Sequence, residues 1–449
     1  MSFSEFIKAC NDNDNVNITH VICSTKNRII AEYVKPPYDM NSLRLIFSMT
    51  KSITSLAIGI ANDLGFLNID DPIIKFFVDE LPSEPHENLE KITIRHLLTM
   101  SSGIHNNIYS KLFTKSNWVS AFLAQEFPHE PGTYYRYNTH GSHMLSAIIT
   151  KATSLSLEEF LNKYLFYPMG IYETQWELSP EKLTAGGMGL SLYPYSLVKI
   201  SQLLLNDGVF NGKRLISKEY LDMATTQQIV KQDEINENNV FSGTGYGFQI
   251  HICKDKHYRF DGAFGQLCLI CPSKNRSVIV FSQYSKMEAL LCLIYKYLLS
   301  EECVFDTYIE PKCNSIIENI KDNFPIPLKI FDLYKNDLGI KTIAFSKIKN
   351  EYQLTMNYED YCSIINFLPG HSTSGNMKFI KDLQIHDQKY VCYSTFNENL
   401  LTLDVFLIET PYVATLKFYF SENKIKLEFS INVSLTLSNE TVHGEVHPT

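Results

Sequence analysis

The sequence predicts an α+β protein built in two parts. Residues 1–304 read as an antiparallel sheet flanked by helices, with a helical subdomain; residues 305–449 read as an antiparallel β domain, for which a barrel is one arrangement. Three observations carry this. β-rich runs stand near both ends of the first part with helical patterns between them, so the terminal pieces should share one sheet. Beyond about residue 305 the hydrophobic period becomes two. A chain of 449 residues also exceeds one ordinary domain.

Ile18–Cys23 and Arg28–Tyr33 are short β-rich runs around a turn at Lys26-Asn27, the pattern of a hairpin. Next, Met49, Ile53, Leu56, Ala57, Ile60, Ala61 and Leu64 recur at helical spacing, and Gly65 closes the helix. Ile58 and Gly59 make its opposite face apolar or small, which predicts burial nearly all round. Residues 92–170 read as mostly helical, punctuated at Ser101-Ser102-Gly103 and Pro131-Gly132, and another helix spans about Tyr195–Asn206. A glycine-bearing loop at Gly243–Gly247 precedes strands at Phe248–Cys253, Tyr258–Phe260, Gln266–Cys271 and Ser277–Gln283, and the amphipathic stretch 286–299 completes this part. In the second part, Leu401, Leu403, Val405 and Leu407 alternate with other residues. So do Leu416, Phe418 and Phe420, and, across a turn at Glu422-Asn423, Ile425, Leu427, Phe429 and Ile431. These are half-buried strands. From about Ser438 the chain reads as a frayed tail.

Hydrophobic residues make up 45% and charged residues 20%, a globular mixture that excludes collagen, low-complexity fibre and long disorder. The formal net charge of -9 lacks the basic footprint of a nucleic-acid binder and suits an anionic membrane surface poorly. The first residues show no basic stretch followed by an apolar core, and no run reaches the roughly 18 apolar residues of a spanning helix. The expectation is a cytoplasmic protein without nucleic-acid or membrane partners, its oligomeric state open. Ten cysteines scattered without a framework spacing fit reduced thiols. Cys268 and Cys271 form a C-x-x-C, but no second pair or suitably spaced histidines accompany them, so they read as small hydrophobes in a strand pair. His96, His105, His140, His143 and His251 show neither metal-ligand spacing nor an evident carboxylate partner, and no phosphate-loop or dinucleotide fingerprint occurs. No metal and no cofactor are expected.

Ser48-Met49-Thr50-Lys51 is an S-x-x-K. The spacing recurs at Ser179/Lys182, Ser196/Lys199, Ser346/Lys349 and Ser421/Lys424, so spacing alone says little. Context separates Ser48: it opens a long, uncharged, buried helix. There an i, i+3 pair sets the ammonium beside the hydroxyl, and the helix N-terminus adds positive potential and a free N–H. Burial and that potential would lower the lysine pKa and let it act as a base. Locally, the same residues also read as a capping serine and a lysine that reaches the surface.

Four further stretches occur in order: ITIRHLLTMSSGI at 92–104, PGTYYRYNTHGSHMLSAII at 131–149, GGMGLSLYPYSLVKISQLLLNDGVFNGKRLIS at 186–217 and YGFQIHICKDKHYRFDGAFGQ at 246–266. With SMTK they resemble the serine β-lactamase-like family of penicillin-binding proteins, D-alanyl-D-alanine carboxypeptidases, D-aminopeptidases, class C β-lactamases and related esterases. The resemblance covers about residues 15–300. It implies a β-lactamase/transpeptidase-like fold and a serine hydrolase working through an acyl-enzyme. Ser48 matches the family's nucleophile and Lys51 its partner. Tyr137, in Tyr137-Asn138-Thr139, matches the tyrosine of the second motif; Tyr134 and Tyr135 are nearby alternatives that the register from Pro131-Gly132-Thr133 disfavours. Gly262 matches the glycine of the third motif, and the N–H groups of Ala263 and Ser48 would form the oxyanion hole.

Two positions depart from the family. Thr139 stands where the second motif has asparagine, so either its hydroxyl substitutes or the loop shifts Asn138 inward. Phe260 stands where the third motif has lysine or histidine, with Arg259 or His257 as compensating candidates. Loss of that cation disfavours substrates that carry a carboxylate there, β-lactams and D-Ala-D-Ala peptides included, and favours neutral esters or amides. The expected substrate is a small molecule or peptide-like. The competing expectation is a catalytically weak protein that binds acyl or peptide-like ligands without efficient turnover.

Overall fold

Two antiparallel sheets organise the chain, seven-stranded and ten-stranded. The structure is a computed structural model that describes residues 1–106, 115–232, 245–308 and 324–448. These fall into two units, one of Met1–Val34 with Leu43–Tyr308, the other of Lys35–Ser42 with Ile309–Thr449.

The first unit begins with α1 (Phe3–Asn11), started by a capping box in which Ser2 and Glu5 exchange side-chain and backbone bonds. Strands β1 (Val16–Ser24) and β2 (Ile29–Val34) form the expected hairpin. Helix α2 (Met49–Asp63) follows, then α3 (Thr139–Thr153) within the helical region and α4 (Pro194–Leu205). The short strands β3 (Gly245–Tyr246) and β4 (His251–Ile252) lead into β5 (Tyr258–Gly262), β6 (Gln266–Cys271) and β7 (Arg276–Ser285), and α5 (Met287–Leu293) runs on into a π turn. The strand order is β2-β1-β7-β6-β5-β4-β3. N-terminal and C-terminal pieces therefore share one sheet, with β1 paired to β7.

Nearly every residue of β1, β6 and β7 is buried, because helices cover both faces. On one face Phe3, Phe6 and Ile7 of α1 and Leu290 and Leu291 of α5 share a core with Val21, Leu269 and Val280. On the other, α2 and α4 pack against the sheet. Thirteen of the fifteen residues of α2 are buried, as its two apolar faces predict. Gly59 allows this: a Cβ there would lie 2.4 Å from the Tyr220 ring.

Three elements differ from expectation. The strand expected at Phe248–Cys253 is reduced to His251–Ile252, because Gln249 takes a left-handed backbone (φ 58°). Its amide donates to the carbonyls of Leu97 and Leu98 and accepts from Ser142, so it ties the loop to the helical region. Of the Gly243–Gly247 loop, Gly243 and Thr244 lie outside the described residues. The stretch expected to fray from Ser438 instead forms the strand Glu440–Val446. Its inward positions are only Val442 and Gly444, too few apolar side chains to show a period of two.

The second unit contains β8 (Ile330–Leu333), β9 (Thr342–Ile348), β10 (Glu351–Asn357), β11 (Cys362–Phe367), β12 (Ser372–Ile380), β13 (Ile385–Asn397), β14 (Leu400–Leu407), β15 (Val413–Phe420), β16 (Lys424–Ile431) and β17 (Glu440–Val446). Their order is β11-β10-β9-β8-β17-β16-β15-β14-β13-β12. Ser363 on β11 donates to the Lys378 carbonyl on β12, so the two edges meet and the sheet is a nearly closed barrel. Every second residue along β10 and β14, and along β16 up to Phe429, is buried and fills its interior. Among the described residues no helix is long and apolar enough to cross a membrane.

Candidate active site

Ser48 stands at the turn into α2, half-buried, with its backbone already in the helical region. Phe47 before it is held at φ 48°, a strained conformation for a bulky residue. The Ser48 side chain makes no capping bond. Its Oγ instead accepts from Lys51 Nζ at 3.0 Å. Lys51 is 1% exposed and also donates to the Gly187 carbonyl at 2.6 Å. Neither the capping serine nor the surface-reaching lysine describes this pair.

Lys51 is held by the shape of its surroundings. Thr54, one turn further along α2, donates to the Gly186 carbonyl at 2.7 Å, and Ser52 to the Gln249 carbonyl at 2.6 Å. Only glycine fits at 186 and 187. A Cβ would fall 2.6 Å from the Ser142 carbonyl oxygen at Gly186 and 2.6 Å from that of Thr139 at Gly187. The Gly186-Gly187 pair thus brings a carbonyl onto the lysine while α3 packs behind it. In the sequence, the doubled glycine is the signal of this close approach.

Tyr137 lies on the loop before α3, half-buried, with Lys51 Nζ 5.0 Å from its ring centroid. Tyr135 is buried in a cluster with Met100 and Tyr246, against which Tyr137 packs, and Tyr134 stacks on His129 at 4.0 Å. Of the three tyrosines, 137 is the one the fold brings to the serine–lysine pair. Asn138 is the N-cap of α3: its Oδ1 accepts from the N–H groups of His140 and Gly141, and its Nδ2 is buried without a partner among the described residues. Thr139 is buried at the first helical position, its methyl and carbonyl against Gly187.

Gly262 ends β5. A Cβ there would lie 2.5 Å from the Ile46 carbonyl oxygen, so glycine lets this strand approach the segment just before Ser48. Ala263 follows in a tight turn whose next residue, Phe264, has φ 64° and meets Phe47 edge-on at 5.4 Å. Gln266 pins the turn, its Nε2 donating to the carbonyls of Ala263 and Ser282. Nothing local in the sequence marks Gln266 for these contacts.

Phe260 is fully buried on β5, opposite Cys268. Arg259 and Asp261 share the other face and pair at 3.0 Å, and Arg259 also donates to Cys253 Sγ at 3.1 Å. His257 is engaged away from Ser48, with Tyr295 Oη at 3.1 Å and Ser273 Oγ at 3.0 Å. The cluster on the Arg259 face continues through His251, whose Nε2 is 3.8 Å from Asp261, to the buried Lys231, 2.9 Å from His251 Nδ1. Burial, and then the charges of Lys231, Arg259 and Lys51, hold the His251 imidazole well below its ordinary pKa.

Of the five histidines singled out from the sequence, two have carboxylate partners that the spacing did not reveal, His143 with Glu181 at 3.3 Å and His251 with Asp261. No group of three metal-ligating side chains occurs among the described residues. Cys268 and Cys271 are both buried as free thiols, and burial raises both, Cys268 to about 12.

The family model described as Beta-lactamase matches residues 20–297, well over half of the chain. The chain belongs to the beta-lactamase family. Among its relatives is a penicillin-binding protein of Bacillus subtilis (strain 168), 27% identical in an alignment of 224 residues, with 44% of this chain and 47% of that protein covered. Monacolin J acid methylbutanoyltransferase of Aspergillus terreus is 23% identical over 32% of this chain and 40% of its own length. The chain spans about half the length of the curated relatives it matches. Among solved structures, the octameric penicillin-binding protein homologue from Pyrococcus abyssi is similar over 98% of both chains, at 18% identity and a TM-score of 0.52. EstCE1, described as a hydrolase with promiscuous acyltransferase activity, is similar over 65% of this chain and 97% of its own, at 15% identity and a TM-score of 0.53. At these identities the structural likenesses speak to fold alone.

Proposed function

We propose that this protein is a serine hydrolase that forms an acyl-enzyme on Ser48 from an ester or amide, with neutral esters the better substrates. The observation that carries the reading is the 3.0 Å contact between the buried Lys51 ammonium and a Ser48 hydroxyl that does no capping work. In this reading Tyr137, as a phenolate favoured by the neighbouring Lys51 ammonium, takes the Ser48 proton as Oγ attacks the carbonyl carbon. The carbonyl π electrons move to oxygen, and the oxyanion rests on the N–H groups of Ser48 and Ala263. Collapse expels the alcohol or amine, which takes the stored proton. Water then attacks the acyl carbon, and Ser48 leaves with that water's proton. Gly262 and Gln266 fix the Ala263 turn, while Asn138 and Thr139 line the substrate side of the Tyr137 loop.

Membership of the beta-lactamase family supports hydrolysis or acyl transfer as the reaction class. The buried phenyl ring of Phe260 supports neutral substrates, since it leaves position 260 of β5 without a cation to meet a substrate carboxylate, and Arg259 is paired with Asp261 on the other face. A reaction with a fluorophosphonate probe, read by intact mass and peptide mapping, tests the assignment. The expected result is one adduct, on Ser48, lost in Ser48→Ala. A folded protein without an adduct moves the assignment to a binding protein that has kept the pocket without turnover.

A further inference from the structure

The barrel of the second unit holds a cavity of about 90 Å³ that has no part in the mechanism above. Its floor comes from inward positions of the strands: Met356 of β10, Met377 of β12, Val405 of β14, and Ala414 and Leu416 of β15, all buried. Its rim comes from turns at one end of the barrel. Tyr358 and Tyr361 stand in the turn between β10 and β11, and Ile380 and Ile385 flank the turn between β12 and β13. None of these four is fully buried, so the cavity runs from a rim at the surface to a closed floor. Protein interiors contain few voids larger than one water, because each missing neighbour forfeits dispersion contacts. This one is several waters large.

The lining is apolar apart from the two tyrosines, and no charged side chain is part of it. The polar groups at the cavity have bonding capacity to spare. The two tyrosine rings stack at 4.3 Å, and neither hydroxyl has a hydrogen-bond partner among the described residues. Burial raises both phenols, so both hydroxyls keep their protons and can donate. Gln388 is fully buried on β13, opposite Met377. Its Nε2 donates to the carbonyls of Phe379 and Ile380, two residues that line the cavity. Its Oε1 has no partner among the described residues, and a buried amide oxygen without a donor is costly.

We propose that this barrel is a binding site for a small uncharged amphiphile, a primary alcohol with a chain of about four to six carbons. An apolar cavity of about 150 Å³ takes benzene, so one of about 90 Å³ suits a short chain whose head stays at the rim. The chain lies against the aliphatic and methionine floor and restores the missing contacts. A hydroxyl head can both accept, as the tyrosine O–H groups require, and donate, as Gln388 Oε1 requires. A carboxylate of the same length only accepts, and it would bring a charge into a lining that holds no counter-charge. Ser48 belongs to the first unit, and the proposal does not rest on the hydrolase reading.

The test is isothermal titration calorimetry of the full chain at neutral pH with 1-hexanol and with hexanoate. It is repeated on Ala414→Leu and on a double variant, Tyr358→Phe with Tyr361→Phe, each checked by a thermal melt. Hexanol is expected to bind saturably, and hexanoate about tenfold more weakly or not at all. Ala414→Leu fills the cavity floor with an isobutyl group in place of a methyl, and should weaken hexanol by about tenfold or more. The double variant removes only the two hydroxyls and should weaken hexanol by about fivefold. If Ala414→Leu does not fold, the double variant is read in its place, and an unchanged affinity there overturns the proposal. Absence of saturable hexanol binding overturns it, and so does equal affinity for hexanoate. Hexanol binding that survives in folded Ala414→Leu puts the ligand elsewhere, the Ser48 site included, and also overturns it. Fluorophosphonate labelling of Ser48 reports on the hydrolase reading alone, so the two can fail separately.

Discussion

A single backbone carbonyl decides where the Lys51 ammonium points, and one missing methyl group decides where that carbonyl is. Gly187 accepts from Lys51 at 2.6 Å, while its Cα faces the Thr139 carbonyl so closely that a Cβ would fall 2.6 Å from the oxygen. The obstacle is backbone and cannot rotate away. Gly187→Ala is expected to displace the loop and lower kcat on an ester at least tenfold, about 1.4 kcal/mol of barrier, with smaller change in KM; an unchanged kcat would remove Gly187 from the site. His140 yields a second prediction at this scale. Burial, followed by the charges of His143 and Lys51, lowers its pKa to about 3. The unfolded chain takes up this proton near pH 6.5 and the folded chain only near 3. Between those values the unfolded state binds more protons, so stability falls as pH is lowered through the window. From about pH 7.5 to about pH 5 this one group should remove about 2 kcal/mol. Urea unfolding of the unaltered chain and of His140→Leu at both pH values checks it, since the variant should lose less on acidification by that amount.

At the level of elements, α2 is both the most legible part of the chain and the one that organises the site. Its helical period and its second apolar face predict a helix buried all round, and that is what forms. Its polar residues are less readable, because a serine or threonine in a buried helix gives no hint of its partner. Thr54 and Ser55 find theirs in Gly186 and Tyr220, residues remote in sequence. Thr54→Val keeps the shape but leaves the Gly186 carbonyl without this donor, and is expected to lower stability by about 1–3 kcal/mol. Because Gly187 is the next residue, the same variant should slow hydrolysis. A melting temperature and rate equal to those of the unaltered chain would show that the loop is held by other contacts. The loops around α2 are less legible for the same reason. Gln249 sits in an apolar run that looks like a strand, and only its left-handed backbone and its bonds to Leu97, Leu98 and Ser142 explain the break. Lys231 had no motif to announce it, since its partner His251 comes from another element. The S-x-x-K and the order of the motifs were visible because they are local; the charge cluster exists only after folding.

For the whole molecule, the sequence places a boundary at residue 304, where the helical period ends, and tertiary contacts divide the chain differently. The first unit extends to Tyr308 and the second also takes in Lys35–Ser42. The reason lies in a few side chains that no period reveals. Phe305 carries the Arg276 guanidinium 4.6 Å from its ring centroid, Tyr308 meets Tyr33 edge-on at 5.5 Å, and Asp306 accepts from the Ser4 N–H at 2.8 Å, at the start of α1. In the second unit, Tyr38 is 5% exposed and meets Phe406 at 6.4 Å. We propose the first unit as an independently folding domain, and the details of its edge make that testable with two truncated chains. One ends at Val304 and loses Phe305, Asp306 and Tyr308; the other ends at Tyr308 and keeps them. Two half-buried aromatic rings and a helix-start bond together stabilise by about 2 kcal/mol, which corresponds to about 3 °C in melting temperature for a unit of this size. The longer chain should therefore melt higher by that margin. Both chains lack the partner of Tyr38, so both expose that ring, and Tyr38→Ser should reduce aggregation in each without shifting the difference between them. Equal melting temperatures for the two truncations would mean that residues 305–308 are carried by the first unit without stabilising it.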